Sequence, residues 1–219
     1  RCPVAGVVVG GACMSERETA RIEAFSDGVF AIAITLLILE LKAPEFDAKA
    51  FTRPDAELLR QLGALGPHYF AFFLSFVSIL VMWVNHHRIF SVITRSDDAF
   101  LYWNGLLLLC ITIVPFPTEV LAHYLTSEAG KTAAAVYAGH ALIIALAFTA
   151  VWQHAVRGNR LVTPGYRDAE VAALTAQYRY GPLAYLVAFG LAFVSAYVSM
   201  GLCLLMVVFF AFRGLTGRS

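Results

Sequence analysis

Residues 21–41 read RIEAFSDGVFAIAITLLILEL, and their reading decides the fold. The stretch enters with charge at Arg21 and Glu23, passes the polar triplet Ser26, Asp27 and Gly28, and then runs apolar to Glu40. A bilayer core of roughly 30 Å needs about 20 mostly apolar helical residues, which is the length available here. Asp27 is the exception, placed a little over one turn inside the hydrophobic segment. An ionisable side chain there costs several kcal/mol unless it faces water or a partner, so its first reading is functional.

Composition agrees with a membrane span and asks for more of them. The chain has 219 residues, 59% hydrophobic and 14% charged, with a mean hydropathy of +0.71. Soluble domains carry about 25% charged residues, so the chain is expected to be an all-α polytopic membrane protein. A net charge of +1 without a basic patch gives no reason to expect a nucleic-acid partner. Cys2, Cys13, Cys110 and Cys203 show no CxxC or Cys/His spacing. Cys110 and Cys203 lie in apolar runs and read as small buried thiols rather than disulfide or metal ligands.

Uncharged runs divide the rest. A polar loop, 42–61, carries Pro44, Pro54 and interleaved charges. The second span is 62–85, rich in Phe and leaving through WVNHHRIF (83–90), a polar cluster at an interface. The third, 99–118, is entered through Tyr102 and Trp103, residues suited to headgroup level, and is expected to close at Pro115–Pro117. The fourth is 132–153. A basic connection, 157–179, leads to a run of 32 uncharged residues, 181–212. As one helix that run would be about 48 Å long, too long for a single span. It resolves into two if a helix begins near Ala169 and a tight hairpin falls near 197–201.

Six spans with the N-terminus inside place Arg1, Arg17, Arg21, Arg88, Arg95, Arg157, Arg160, Arg167, Arg179, Arg213 and Arg218 on the cytoplasmic side. Lys42, Lys49, Arg53, Arg60 and Lys131 fall opposite. Eleven against five obeys the positive-inside rule, whereas five spans would export Arg213 and Arg218. The expected organisation is an N-terminal extension at 1–16, with a working start near Met14, a six-helix membrane domain at 17–214, and a cytoplasmic tail at 215–219. FSDG occurs once and no internal repeat stands out, so a symmetric pore would need several copies of the chain.

On a helix, Ile32, Thr35, Leu36 and Leu39 fall at i, i+3, i+4 and i+7 and form one face. Turned towards a symmetry axis it would stack apolar rings and a hydroxyl ring along a narrow path, and hydrophobic constrictions gate by dewetting. An ordinary apolar stripe of a membrane helix has the same spacing. Asp27 reads either as a helix-packing anchor, bonded to Arg21 or to a neighbouring helix, or as a direct ion or proton site. His86 and His87 lack a third ligand at metal spacing, so a structural hydrogen bond is expected of them. A helix–helix bond is expected of His140, while His68 and His123 look solvated near the outer ends. Nothing resembles a catalytic serine, HExxH or a phosphate-binding glycine loop, so an enzyme is not expected. A TVGYG filter and an arginine-rich voltage sensor are both absent from the sequence.

Arg21, three residues, then Phe25-Ser26-Asp27 resembles the R-x-x-x-F-S-D motif of the transmembrane protein 175 potassium channels, and FSDGVFAIAITLLILEL resembles the first helix of prokaryotic members. Six spans with a single copy of the motif fit a prokaryotic subunit. The resemblance implies a homotetramer in the cell membrane with both termini cytoplasmic, its pore lined by the first helix. It implies hydrophobic constrictions at Ile32, Leu36 and Leu39, and selectivity for potassium over sodium at Thr35. Arg21, Phe25, Ser26 and Asp27 would form a network at the cytoplasmic mouth. Trp83, Asn85 and His86 are expected to join it because they approach the same membrane face. Potassium is the implied permeant ion, the partners are further copies of the chain and lipid, and no cofactor is expected. The alternative from a different class is a proton-coupled secondary transporter working through Asp27 and His86.

Overall fold

In lipid every backbone N–H and C=O must be bonded within its own segment, so apolar runs of this length fold as helices. The computed structural model describes residues 9–45, 47, 49, 51–159, 161–162 and 168–216. Among these the chain is all-helical: α1 (Val9–Leu36), α2 (Pro54–Ala64), α3 (Gly66–Val92), α4 (Asp98–Ile113), α5 (Pro115–Tyr124), α6 (Gly130–Val156), α7 (Asp168–Ala192) and α8 (Ala196–Thr216). Glu18–Glu40, Gly66–Val92, Asp98–Tyr124 and Gly130–Val156 are long and apolar enough to cross a membrane, and Ala196–Phe212 is a shorter apolar helix. The only extended pairing among the described residues is one bridge, Ile93 to Val162, where the Thr94 N–H donates to the Leu161 carbonyl.

Three sequence expectations are corrected. The Pro115–Pro117 triplet does not close the third span, because α5 continues α4 with Val114 still in the right-handed helical region. Pro115 sits at the first position of α5, where a missing N–H is harmless. The joint is repaired locally. The Ile111 carbonyl, which Pro115 cannot reach, accepts from the Val114 N–H, and the Cys110 carbonyl left over accepts from His140 Nε2 at 2.9 Å. The second correction is α2, which occupies part of the loop read at 42–61. The third moves the hairpin: the turn between α7 and α8 lies at 193–195 rather than 197–201, with the Ser195 N–H donating to the Leu191 carbonyl and Ser199 bonding back to that of Ala188.

The start of α7 at Asp168 matches the helix expected near Ala169. Helix α1 begins at Val9, within the stretch read as an extension; residues 1–8, and 217–219 of the tail, lie outside the described residues.

Two apolar clusters hold the bundle. One joins Phe30 and Ala33 of α1, and Leu37 just beyond its end, to Ile79 and Ile89 of α3, Phe100, Leu107 and Ile111 of α4, and Phe148, Val151 and Trp152 of α6. The other packs α6, α7 and α8 through small side chains, Ala134, Ala138, Ala188, Ala192 and Ala196. Small residues let helix backbones approach where lipid offers no hydrophobic drive. Gly139 carries this furthest, since a Cβ there would meet the Phe189 ring at 3.2 Å. At one end of the bundle Asp97 caps α4 by accepting from the Phe100 N–H at 2.7 Å, and His154 Nε2 donates to the same carboxylate at 2.8 Å. At the other end the His68 and His123 rings meet edge to face, 5.0 Å apart, so His68 is half-buried and not simply solvated.

Candidate functional site

The site is the two-faced helix α1. Its inner stripe, Ser26, Phe30, Ala33 and Leu37, is buried at 0–2% exposure. The outer face carries Phe25, Gly28, Ile32, Thr35, Leu36 and Leu39, all exposed; Ile32 is 60% exposed and Leu39 64%. Towards its end the helix tightens into a 3-10 turn at Leu37–Glu40. Residues three apart eclipse in 3-10 geometry, so Leu39 lies directly beyond Leu36 and the face continues through the change of pitch. Thr35 Oγ1 donates to the Ala31 and Ile32 carbonyls, at 3.0 and 2.9 Å. With its proton turned into the helix, Thr35 presents oxygen lone pairs outward.

The inner stripe is fastened by side-chain hydrogen bonds. Trp83 Nε1–H donates to Asp27 Oδ1 at 2.8 Å, so of the two partners considered for this carboxylate the neighbouring helix supplies the one observed. A second chain of bonds starts at His86, which is fully buried. Its Nε2–H donates to Asn104 Oδ1 at 3.0 Å, Asn104 Nδ2 donates to Ser26 Oγ at 3.1 Å, and Ser26 donates to the Ile22 carbonyl at 2.9 Å. The His86 ring lies between Phe30 and Phe90, and its Nδ1 is buried without a partner among the described residues. A third fastening ties His87 Nδ1 to Glu23 Oε1 at 2.8 Å. Residues 23–27, little more than one turn of α1, are therefore pinned to α3 and α4.

Three expected members stand apart. Asn85 faces away from α1: its Oδ1 accepts from Gln177 Nε2 at 3.1 Å and its carbonyl from the Tyr178 hydroxyl at 3.3 Å, both on α7. Arg21 is exposed and makes no ion pair with Asp27 among the described residues, and Phe25 is 68% exposed. No group of three His, Cys, Asp or Glu side chains able to hold a metal ion occurs among the described residues.

This arrangement has relatives. A potassium channel of Chamaesiphon minutus is 53% identical over 198 residues, covering 90% of this chain and 96% of its own. The profile of the endosomal/lysosomal potassium channel TMEM175 matches residues 21–115, which run from the arginine of the motif to the proline joint. The chain belongs to the TMEM175 family. A potassium channel of Streptomyces collinus is 42% identical, covering 90% of this chain and 93% of its own. The crystal structure of a lysosomal potassium-selective channel TMEM175 homolog from Chamaesiphon minutus superposes with a TM-score of 0.81 at 52% identity, covering 90% of this chain and 98% of that one. Membership makes the chain a multi-pass membrane protein of a channel family.

Within this TMEM175 chain the sequence reading missed Asn104, which joins α3 to α1. The signal was present: Asn104 is the one amide in the run 99–118, and a buried amide among apolar side chains requires partners on neighbouring helices. The pairing of Glu23 with His87 was also missed, because nothing in the sequence sets the register between α1 and α3.

Proposed function

We propose that the chain is a potassium-preferring channel, a homotetramer in the cell membrane whose pore is lined by α1. The observation that carries this reading is the division of α1. One stripe is pinned by Trp83, Asn104 and His87, while Ile32, Thr35, Leu36 and Leu39 face outward together. A contiguous apolar face of this kind needs a covering surface. Four copies around an axis cover it with one another, and the relatives named as potassium channels support that choice. The six spans are α1, α3, the joined α4–α5, α6, α7 and α8, with both termini cytoplasmic.

In this assembly Ile32, Leu36 and Leu39 form successive apolar rings that exclude water when closed, so an ion must leave its hydration shell to enter. Between the first two, the Thr35 oxygens replace part of that shell and favour potassium over sodium. Arg21, Phe25, Ser26 and Asp27 stand at the cytoplasmic mouth, with Trp83, His86 and Asn104 fixing the angle of the pore helix; Asn85 is left out of this network. Widening or rotating α1 wets the path. The membrane potential then drives the ion by about 2.3 kcal/mol per charge per 100 mV, and no cofactor takes part. Asp27 and His86 bond to different partners, Trp83 and Asn104, which favours anchoring over the proton relay of the transporter alternative.

Planar-bilayer recording of the purified protein in asymmetric potassium and sodium tests the proposal. Unitary currents reversing towards the potassium potential are expected, with the preference reduced in Thr35→Ala. Saturable flux that follows a pH gradient, without unitary currents, would replace the channel by the transporter.

A further inference from the structure

A cleft lies inside the protomer on the far side of α3 from α1. It encloses about 60 Å³ between α3, α6, α7 and α8, and no residue of α1 lines it. Its walls are Val81, Met82, Ile144, Phe148, Val207 and Phe210, and it follows α3 from Asn85 to Ser78. Those eight residues span about 10 Å of helix. Room for about four waters is present by volume, but the walls offer them few partners. Each lining side chain is uncharged; Asp, Glu, Lys, Arg and His are absent from it.

One end of the cleft is polar and incompletely bonded. Asn85 and Gln177 are each 9% exposed and make a single bond to each other, Gln177 Nε2 to Asn85 Oδ1. That leaves the Asn85 Nδ2 donors and the Gln177 Oε1 acceptor without partners among the described residues. Reversing both amides exchanges the roles and still leaves a donor and an acceptor side by side. Unmet groups of this kind within a membrane-spanning bundle cost free energy that an occupant with the complementary pair recovers. None of the lining side chains could serve a charged head as counter-ion.

We propose that this cleft binds the head of an uncharged single-chain amphiphile, a carboxamide pairing with Asn85 and Gln177, with the first methylenes in the cleft and the rest of the alkyl chain leaving it for the bilayer. The carboxamide supplies one acceptor and one donor on adjacent atoms, as the amide pair requires. The partly exposed side chains Met82, Tyr185 and Phe210 mark where the chain passes from the cleft to the bilayer.

The test uses the full chain in phosphatidylcholine nanodiscs and a decanamide carrying a diazirine in its tail. Photo-adducts are expected on cleft residues such as Met82, Tyr185 or Phe210. Excess decanamide should compete for them, whereas decane and decanoate should not. Replacing both amides, Asn85→Leu with Gln177→Leu, removes two hydrogen bonds to the head without leaving either group unpaired, and should weaken labelling about tenfold. Ala145→Leu fills the cleft and should abolish it. Adducts confined to lipid-facing surfaces of the unaltered protein would overturn the proposal, whether or not the variants fold. Equal competition by decane, or undiminished labelling of the double variant, would do the same.

Discussion

Helices α1 and α6 have similar hydropathy and opposite construction. In the most apolar window of α1, 22% of residues are buried within the protomer; in α6 the figure is 44%. Helix α6 is packed by its own chain on two sides, with Ala134, Ala135 and Ala138 in one cluster and Phe148, Val151 and Trp152 in another, and leaves Val136, Ile143 and Leu146 exposed. Helix α1 is held along one edge, by one apolar stripe and three polar fastenings, and turns the remainder outward. Equal hydropathy therefore conceals two different tasks. A helix that stabilises the protomer spreads its contacts over more of its circumference; a helix that works at an interface concentrates them on one side.

The sharpest way to break this comparison is a pair of truncations. Trp152 is fully buried and donates from Nε1 to Thr175 Oγ1 at 3.0 Å. Trp152→Ala should lower stability by about 3–5 kcal/mol, read from thermal unfolding of the purified protein. Leu36→Ala on the outer face of α1 should change protomer stability by less than about 0.5 kcal/mol, while raising potassium flux in liposomes. If Leu36→Ala destabilises as strongly and leaves flux unaltered, the outer face is core and the division of α1 fails. Next in size is Asn104→Leu, which removes the amide between His86 and Ser26. Two buried groups lose a partner, so about 1–3 kcal/mol is expected, with altered potassium flux because α1 loses a fastening.

The contrast between α1 and α6 was only half legible in the sequence. Span positions follow from charge and apolar runs, and Ser26, Asp27 and the i, i+3, i+4, i+7 face mark α1 as unusual. The circumference of α6 could not be read, since both faces are apolar and only contacts distinguish them. Asn85 and His86 illustrate the same limit. They are adjacent residues at one membrane face, yet a helix turns about 100° per residue, so they look towards α7 and α4 respectively. Proximity to a face assigned both to the α1 network; register separates them. The proline joint at Val114 was misread because a proline is a stop signal only where no neighbour satisfies the freed carbonyl, and here His140, from another helix, stands close enough to serve the adjoining one.

A second proline sharpens this point with a smaller effect. Pro182 lies inside α7 and cannot donate to the Tyr178 carbonyl four residues earlier. Thr149 on α6 donates to that carbonyl instead, at 2.8 Å, while also contacting its own Ala145 carbonyl. Thr149→Val should therefore cost about 1–2 kcal/mol. Adding Pro182→Ala restores an N–H for Tyr178 and should recover part of that loss. A double-mutant cycle by thermal unfolding reads the coupling, and simple additivity would show that Thr149 does not serve the freed carbonyl.

The smallest effect is expected outside the membrane, on α2, where fastening is electrostatic and exposed. Glu57 accepts from Arg60 Nη2 at 2.6 Å and Nε at 2.9 Å and from Gln61 Nε2 at 2.8 Å. The Arg60 hydrogen bonds first, and then that of Gln61, pull its carboxyl down to about 2 from an ordinary value of 4.5. A carboxyl whose value falls on folding favours the folded helix above 4.5, and that contribution disappears as pH drops from 4.5 through 2. Hydrogen exchange of the α2 amides should therefore accelerate over that interval with little change in α6. In Arg60→Ala the transition should move up towards 4.5. Because the Arg60 side chain is exposed, the change should shrink further in high salt. Acceleration spread evenly over α2 and α6 would mean that acid acts on the bundle as a whole and not through this carboxylate.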